Sequence, residues 1–258
     1  MVFFMNYYNQ HNFPHVPYPS SDLPNATVKS GGCGVCCAAT ILSFFGFNES
    51  KHQPPELSKT FRNRGARVAG GTDMHKAAQI ACELGNLEYV TTSSETELTA
   101  HLKAGGAAIA NVGGNRSGYT GVFSTSGHYI CVLGLSGDKY KIFDVGDYNG
   151  KYSSTYRKSK VTTSGVLLLC TPDVLHKETE NRTPNYYLFK RKEVKPMPET
   201  KPNVPEAPKG PHWAEKHLEN LVDAGIIQTP EAWTDFETPV TKGQFLAALD
   251  KLFRGISK

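Results

Sequence analysis

The run from Ser30 to Gly46 limits what this chain can fold into more than any other stretch. Gly31 and Gly32 read as a flexible approach, a helix-favouring apolar run follows, and Gly46 falls where a left-handed helix cap is expected. Cys33 then lies in the first helical turn, where unpaired N–H groups and the positive end of the helix dipole favour an anion. A thiol placed there is expected to ionise readily, and the thiolate is the form that attacks a carbonyl carbon. Cys36 and Cys37, one turn further in, are expected to face the core as small apolar residues.

The flanks of this helix predict an α+β layout, with helices first and a mostly antiparallel sheet after them. Residues 8–32 carry Pro14, Pro17, Pro19 and Pro24 and read as an irregular arm laid over the domain. After the Cys33 helix come a polar stretch with Pro54-Pro55 and then Gly70-Gly71. Thr72 reads as the N-cap of a helix from Asp73 to Leu84, closed by Gly85. Residues 87–91 form a short strand, a helix starts at Ser94 or Glu95 and runs to Leu102, and 107–112 is apolar enough for a buried strand. Strands are expected at 127–135 and 140–145 around a Ser136-Gly137-Asp138 turn, then at 166–170 and 186–189.

From Lys190 to Pro211 the composition changes, with six prolines from Pro196 to Pro211 alternating with Lys and Glu. Such a segment cannot pack as a core and reads as an extended, semi-stiff linker. The expected division is therefore a domain over 1–190, a linker over 191–211 and a small module over 212–258. The module shows two helices. One runs from Trp213 to Ala224 with Gly225 as cap; the other opens on the capping box Thr241-Lys242-Gly243-Gln244 and continues through Phe245, Leu246, Leu249 and Leu252.

Composition removes several function classes. A 258-residue chain with 39% hydrophobic residues can build a core and is not generally disordered. The formal charge of +4, from 28 basic and 24 acidic groups, comes without a dense basic run, so nucleic acid is not an expected partner. Six cysteines in a chain this long do not make a disulfide scaffold. Met1 to Tyr7 has no basic start and turns polar after five residues. It is expected to be neither a secretory signal nor a membrane span, so the protein is expected in the cytoplasm where it is made.

A thiol nucleophile needs a base, a group to orient that base and a donor for the oxyanion. His128 follows a glycine at the head of a strand, where its ring could face the Cys33 helix from a sheet edge. Asp144 is the candidate to hold the imidazole, with Asp147 in reserve, and register decides between them. A two-residue turn at Gly137-Asp138 would set His128 opposite Asp147 and put Asp144 on the other face. A three-residue turn would put His128 and Asp144 on one face, diagonally placed.

Gly32-Cys33-Gly34 opening a helix, Gly127-His128-Tyr129 opening a strand and an Asp after a Gly-Asp turn resemble the papain-like cysteine peptidases related to bacteriocin-leader-processing peptidases. The resemblance covers about residues 6–190. It implies a papain-like fold, a helix carrying the Cys packed on an antiparallel sheet. It further implies that Cys33 attacks, that His128 is the base, that Asp144 orients it, and that Gln10 and the Cys33 N–H form the oxyanion hole. The family usually shows a proline two residues after its Cys; here Val35 stands there. The tail resembles a single S-layer-homology module through His212-Trp213-Ala214, Ala224-Gly225-Ile226-Ile227 and Pro239 to Phe245. That implies binding of anionic secondary cell-wall polymers, with Lys242 as a point charge and Trp213 packing on sugar. Lys242 and Gln244 replace the usual Arg and Glu of the signature. Such modules commonly act in threes, so a single copy hints at self-association; a small two-helix dimerisation module is the plainer reading of the same helices.

Together these features resemble a phage endolysin for a Gram-positive host. The expected activity is hydrolysis of an amide bond in peptidoglycan, in a protein held in the host cytoplasm until lysis and then acting on the wall. The expected partners are peptidoglycan and a secondary cell-wall polymer, with no cofactor, no metal, no nucleic acid and no membrane. Two alternatives stand beside this. One is a cysteine peptidase acting on proteins; the other is a metal or redox protein using Cys33, Cys36 and Cys37.

Overall fold

Side chains alternate sides along a strand, and in the central strands of this chain both sets are apolar. A sheet built from them must be covered on both faces. The computed structural model describes residues 5–192 and 215–225, and the chain divides into Met1–Val194 and Lys195–Lys258. In the first unit the elements run α1 (Val28–Gly31), α2 (Cys33–Phe44), α3 (Pro54–Asn63), β1 (Arg67–Val68), β2 (Gly71–Thr72), α4 (Met74–Gly85), β3 (Leu87–Thr92), α5 (Glu95–Lys103), β4 (Ala107–Val112), β5 (His128–Ser136), β6 (Lys139–Phe143), α6 (Thr155–Lys158), β7 (Val161–Ser164), β8 (Leu167–Cys170), α7 (Pro172–Thr179) and β9 (Tyr186–Arg191). The fold is α+β: a seven-stranded sheet in the order β3-β9-β4-β5-β6-β8-β7 with every neighbouring pair antiparallel.

Each face of that sheet has its own core. On one face Val35, Ile41 and Leu42 of α2 meet Ile109, Cys131 and Phe189. On the other, Leu98 and Leu102 of α5 and Leu175 of α7 cover Ala108, Ile130 and Leu188. Residues 34–43 of α2 are all buried, so even its polar members need partners. The N-terminal arm supplies two: the Asn6 N–H donates to Ser43 Oγ at 2.6 Å and the Tyr8 N–H to Thr40 Oγ1 at 3.3 Å. The arm is therefore part of how the nucleophile helix is buried.

Several boundaries differ from expectation for local reasons. Helix α4 is capped by the Asp73 carboxylate, which accepts from the Lys76 N–H, and not by Thr72, whose hydroxyl is bonded to Tyr18. It ends on Asn86 at φ 46° and not on Gly85. A Cβ on Gly85 would come within 2.6 Å of Leu42 Cδ2, so that glycine sets the approach of α4 to α2. The polar stretch after α2 forms α3, where Pro54 and Pro55 occupy the first turn, a place in which a missing N–H costs nothing. Of the second unit, Glu215–Asp223 (α8) is helical and turns at Gly225, φ 71°. Trp213, Lys242, the expected helix from Thr241 and most of the expected linker lie outside the described residues.

Candidate active site

Cys33 is the first residue of α2 and is half-buried, while Cys36 and Cys37 behind it are fully buried. The glycines around it are not the flexible approach that the sequence suggested. Gly31 closes α1, and a Cβ on Gly32 would lie 2.6 Å from the Val28 carbonyl oxygen. A Cβ on Gly34 would lie 2.7 Å from Thr72 Cβ. Their lack of side chains lets α1 and β2 press against the start of α2 and fix the sulfur's seat.

His128 opens β5 opposite Val112 of β4. The β5–β6 connection is the two-residue turn Gly137-Asp138, since Ser136 pairs with Lys139 and Leu135 with Tyr140. By that register alone Asp144 would sit on the wrong face. The pairing then slips: Val132 faces Ile142 and Cys131 faces Phe143, with a bulge between Val132 and Leu135. Gly134, at φ 126°, takes up the extra residue. One residue of slip brings His128 and Asp144 to the same side, and His128 Nε2 lies 2.8 Å from Asp144 Oδ1. Asp147 is not on the imidazole; its N–H donates to the Asp144 carbonyl and its own carbonyl accepts from Asn9 Nδ2 at 2.7 Å.

With Nε2 engaged by Asp144, Nδ1 is the ring atom left for the sulfur, and the Cys33 thiol and the imidazole are hydrogen-bonded. Burial works against a charged sulfur. The hydrogen bond and charge of His128, aided by the Tyr129 and Gly34 backbone, outweigh it, so the thiol falls below its ordinary value of 9.0. Burial likewise opposes a charged ring, yet the bonds to Asp144 and Cys33 push His128 from 6.5 up to about 9. Both directions favour a thiolate beside an imidazolium, the form that attacks an acyl carbon and then has a proton for the leaving group. Cys36 and Cys37 go the other way, burial holding both well above 9.0 as neutral thiols.

Asp144 is 2% exposed and receives four donors. Oδ1 accepts from His128 and from the Gly146 N–H at 2.9 Å; Oδ2 accepts from Lys151 Nζ at 2.5 Å and from the Tyr152 hydroxyl. Burial would favour the neutral acid, but the bonds and charges of His128 and Lys151 hold the carboxyl far below the usual range. Gly146 has no room for a side chain, since a Cβ would stand 2.9 Å from His128 Cε1. Sequence reasoning missed Lys151, Tyr152 and Gly146. The only signal for them is chemical: a buried carboxylate with one imidazole on it still has lone pairs to satisfy.

Gln10 joins the two sides of this arrangement. Its N–H donates to the Val145 carbonyl at 2.7 Å, one residue past Asp144, and its Nε2 donates to the Lys29 carbonyl at 2.9 Å, on α1 just ahead of Cys33. Among the described residues no group of three or more His, Cys, Asp or Glu is placed to hold a metal ion, and the neutral, buried Cys36 and Cys37 are poorly suited as ligands. No helix among them is long and apolar enough to cross a membrane.

The family model described as Peptidase_C39 like family matches residues 5–164, which include Gln10, Cys33, His128 and Asp144. A crystal structure of a Bacillus anthracis protein described as a candidate C39-like peptidase is 14% identical, covers 62% of this chain and 88% of that one, and superposes with a TM-score of 0.41. No curated protein matches the chain.

Proposed function

The chain belongs to the Peptidase_C39-like family, and from that premise we propose that this cysteine peptidase hydrolyses an amide bond of bacterial peptidoglycan through a thioester on Cys33. The Cys33–His128–Asp144 arrangement, with His128 Nε2 2.8 Å from Asp144, is the observation that carries the chemistry. The Cys33 thiolate adds to the amide carbonyl. The oxyanion is held by the Cys33 backbone N–H and the Gln10 amide. His128 gives its proton to the departing amine as the C–N bond breaks, leaving an acyl-enzyme thioester. Water, deprotonated by the same ring, then attacks that thioester and releases the acid and the free thiol. Asp144 keeps the ring aimed and compensates its charge in both steps.

The substrate class rests on the sequence of the tail. His212-Trp213-Ala214 and Pro239 to Phe245 resemble a wall-polymer-binding module, and Trp213 and Lys242 are its sugar-packing and anion-pairing residues. A hydrolase carried to the wall by such a module fits release from a host cell at lysis, as in a phage endolysin. Incubating the chain with purified Gram-positive peptidoglycan and weighing the fragments by mass spectrometry tests this. New amine ends should appear with the intact chain and vanish with Cys33→Ala, and the fragment masses separate a peptide link from the sugar–peptide amide. Untouched walls together with cleavage of an unfolded protein substrate would move the assignment to a peptidase acting on proteins.

A further inference from the structure

A lysine buried beside a catalytic carboxylate needs a physical reason, because desolvating an ammonium is expensive and lysine is almost never fully buried without a partner. Lys151 is 8% exposed. Its Nζ lies 2.5 Å from Asp144 Oδ2 and 3.1 Å from the Gly146 carbonyl oxygen, and 5.6 Å from the centre of the Tyr152 ring. Its own carbonyl accepts from Arg157 Nη1 at 2.9 Å, which ties the loop carrying it to α6. The cation thus fills the carboxylate oxygen turned away from His128, a position that a neutral donor could also satisfy.

Charge counting gives the reason. A thiolate on Cys33 and an imidazolium on His128 cancel, so the Asp144 carboxylate would leave the buried cluster with one net negative charge. The Lys151 ammonium brings the four groups to neutrality. We propose that Lys151 is a positioning residue of this thiol site: it holds the Asp144 carboxylate aimed at His128 and sets the pH range over which the Cys33–His128 ion pair exists. The proposal rests on the thiol-hydrolase reading above. The other titratable groups around Lys151 are Asp147, Tyr148, Tyr152 and Arg157 on the same stretch, with His11 of the arm against Tyr148. On the helix side of the pair stand Cys36, Cys37 and Tyr18. Removing the one cation bonded to Asp144 other than the imidazolium should make protons bind more tightly to both sulfur and ring.

The pH dependence of Cys33 alkylation by iodoacetamide in the full chain reads this directly and needs no substrate. Cys33 is half-buried and the other five cysteines are buried, so the signal belongs to one sulfur. In Lys151→Met the acid limb should move up by about half to one pH unit, and Lys151→Arg, which keeps the charge, should return it toward the wild-type position. An unmoved limb in a folded Lys151→Met overturns the proposal. If that variant is too unstable to assay, Lys151→Gln offers a neutral donor in the same place and its limb decides in the same way. The underlying reading fails separately: a wild-type limb at the ordinary thiol value, indifferent to His128→Ala, would remove the ion pair itself.

Discussion

At the residue scale the site turns on one proton that folding is expected to move from sulfur to ring. His128 has its folded value raised from 6.5 to about 9, so its contribution to stability is complete below about 6.5 and is lost as pH rises through about 9. Cys33 works in the opposite sense. Its folded value is lowered from 9.0, so its contribution is present above about 9 and is lost as pH falls through the lowered value. Above both 6.5 and the lowered Cys33 value, and below about 9, the two slopes oppose each other, because unfolding returns the ring's proton to the sulfur. Thermal melts across that window should therefore be level for the native protein. Cys33→Ser removes the sulfur's half, and its stability should decline with rising pH by up to about 1.4 kcal/mol per unit while the Asp144 bond still favours the imidazolium. A level profile in that variant too would mean that the Asp144 bond alone does not raise the ring. Cys33 and His128 were legible in the sequence because glycine neighbours and element starts mark them. Lys151 was not, since a lysine in a polar turn looks like any solvated one until the carboxylate beside it is seen to be buried.

At the element scale the decisive feature is the slip in the β5–β6 hairpin. The sequence left a two-residue and a three-residue turn open, only the longer placing Asp144 beside His128; the shorter turn is the one present, and the bulge that restores Asp144 to that face has no signal in the turn itself. Gly134 was the available clue, a lone glycine inside an apolar strand. Nothing stands within 4 Å of a Cβ there, so its requirement is conformational: φ is 126°. A valine at that position meets backbone strain without a steric clash, at a cost of order 1–3 kcal/mol. Gly134→Val should lower the melting temperature. If the strand relieves the strain by pairing without the bulge, Asp144 leaves the His128 face and hydrolysis drops about a hundredfold. Full activity per folded molecule, measured at a temperature well below melting, would mean that the bulge persists without the glycine. The apolar strands and the capped helices α4 and α5 were readable from pattern. Helices α3 and α7 were not, because each opens on proline and carries mostly polar residues, and neither was β7, a polar edge strand of Val161-Thr162-Thr163-Ser164.

At the scale of the whole molecule, cutting and targeting are expected to separate. The unit Met1–Val194 holds both cores and every residue placed at the site, from Gln10 to Tyr152. Among the described residues both cores are built from the first unit, so a chain ending at 194 should fold and keep its reactive thiol. It should show the same acid limb for Cys33 alkylation and the same melting temperature for that unit. The proposed affinity for walls is assigned to residues 212–258, where Lys242 and Trp213 stand in the part of the sequence that resembles a polymer-binding module. The shortened chain should then stay in the supernatant when walls are pelleted, while the full chain sediments with them. Lys242→Ala in the full chain should weaken sedimentation, and more at low salt than at high salt, because the pairing of a cation with an anionic polymer in water is screened by ions. Walls stripped of their anionic polymer should release the full chain as well. If the shortened chain sediments as strongly as the full one, the wall is being recognised by the Met1–Val194 unit itself, and the tail must be given another task.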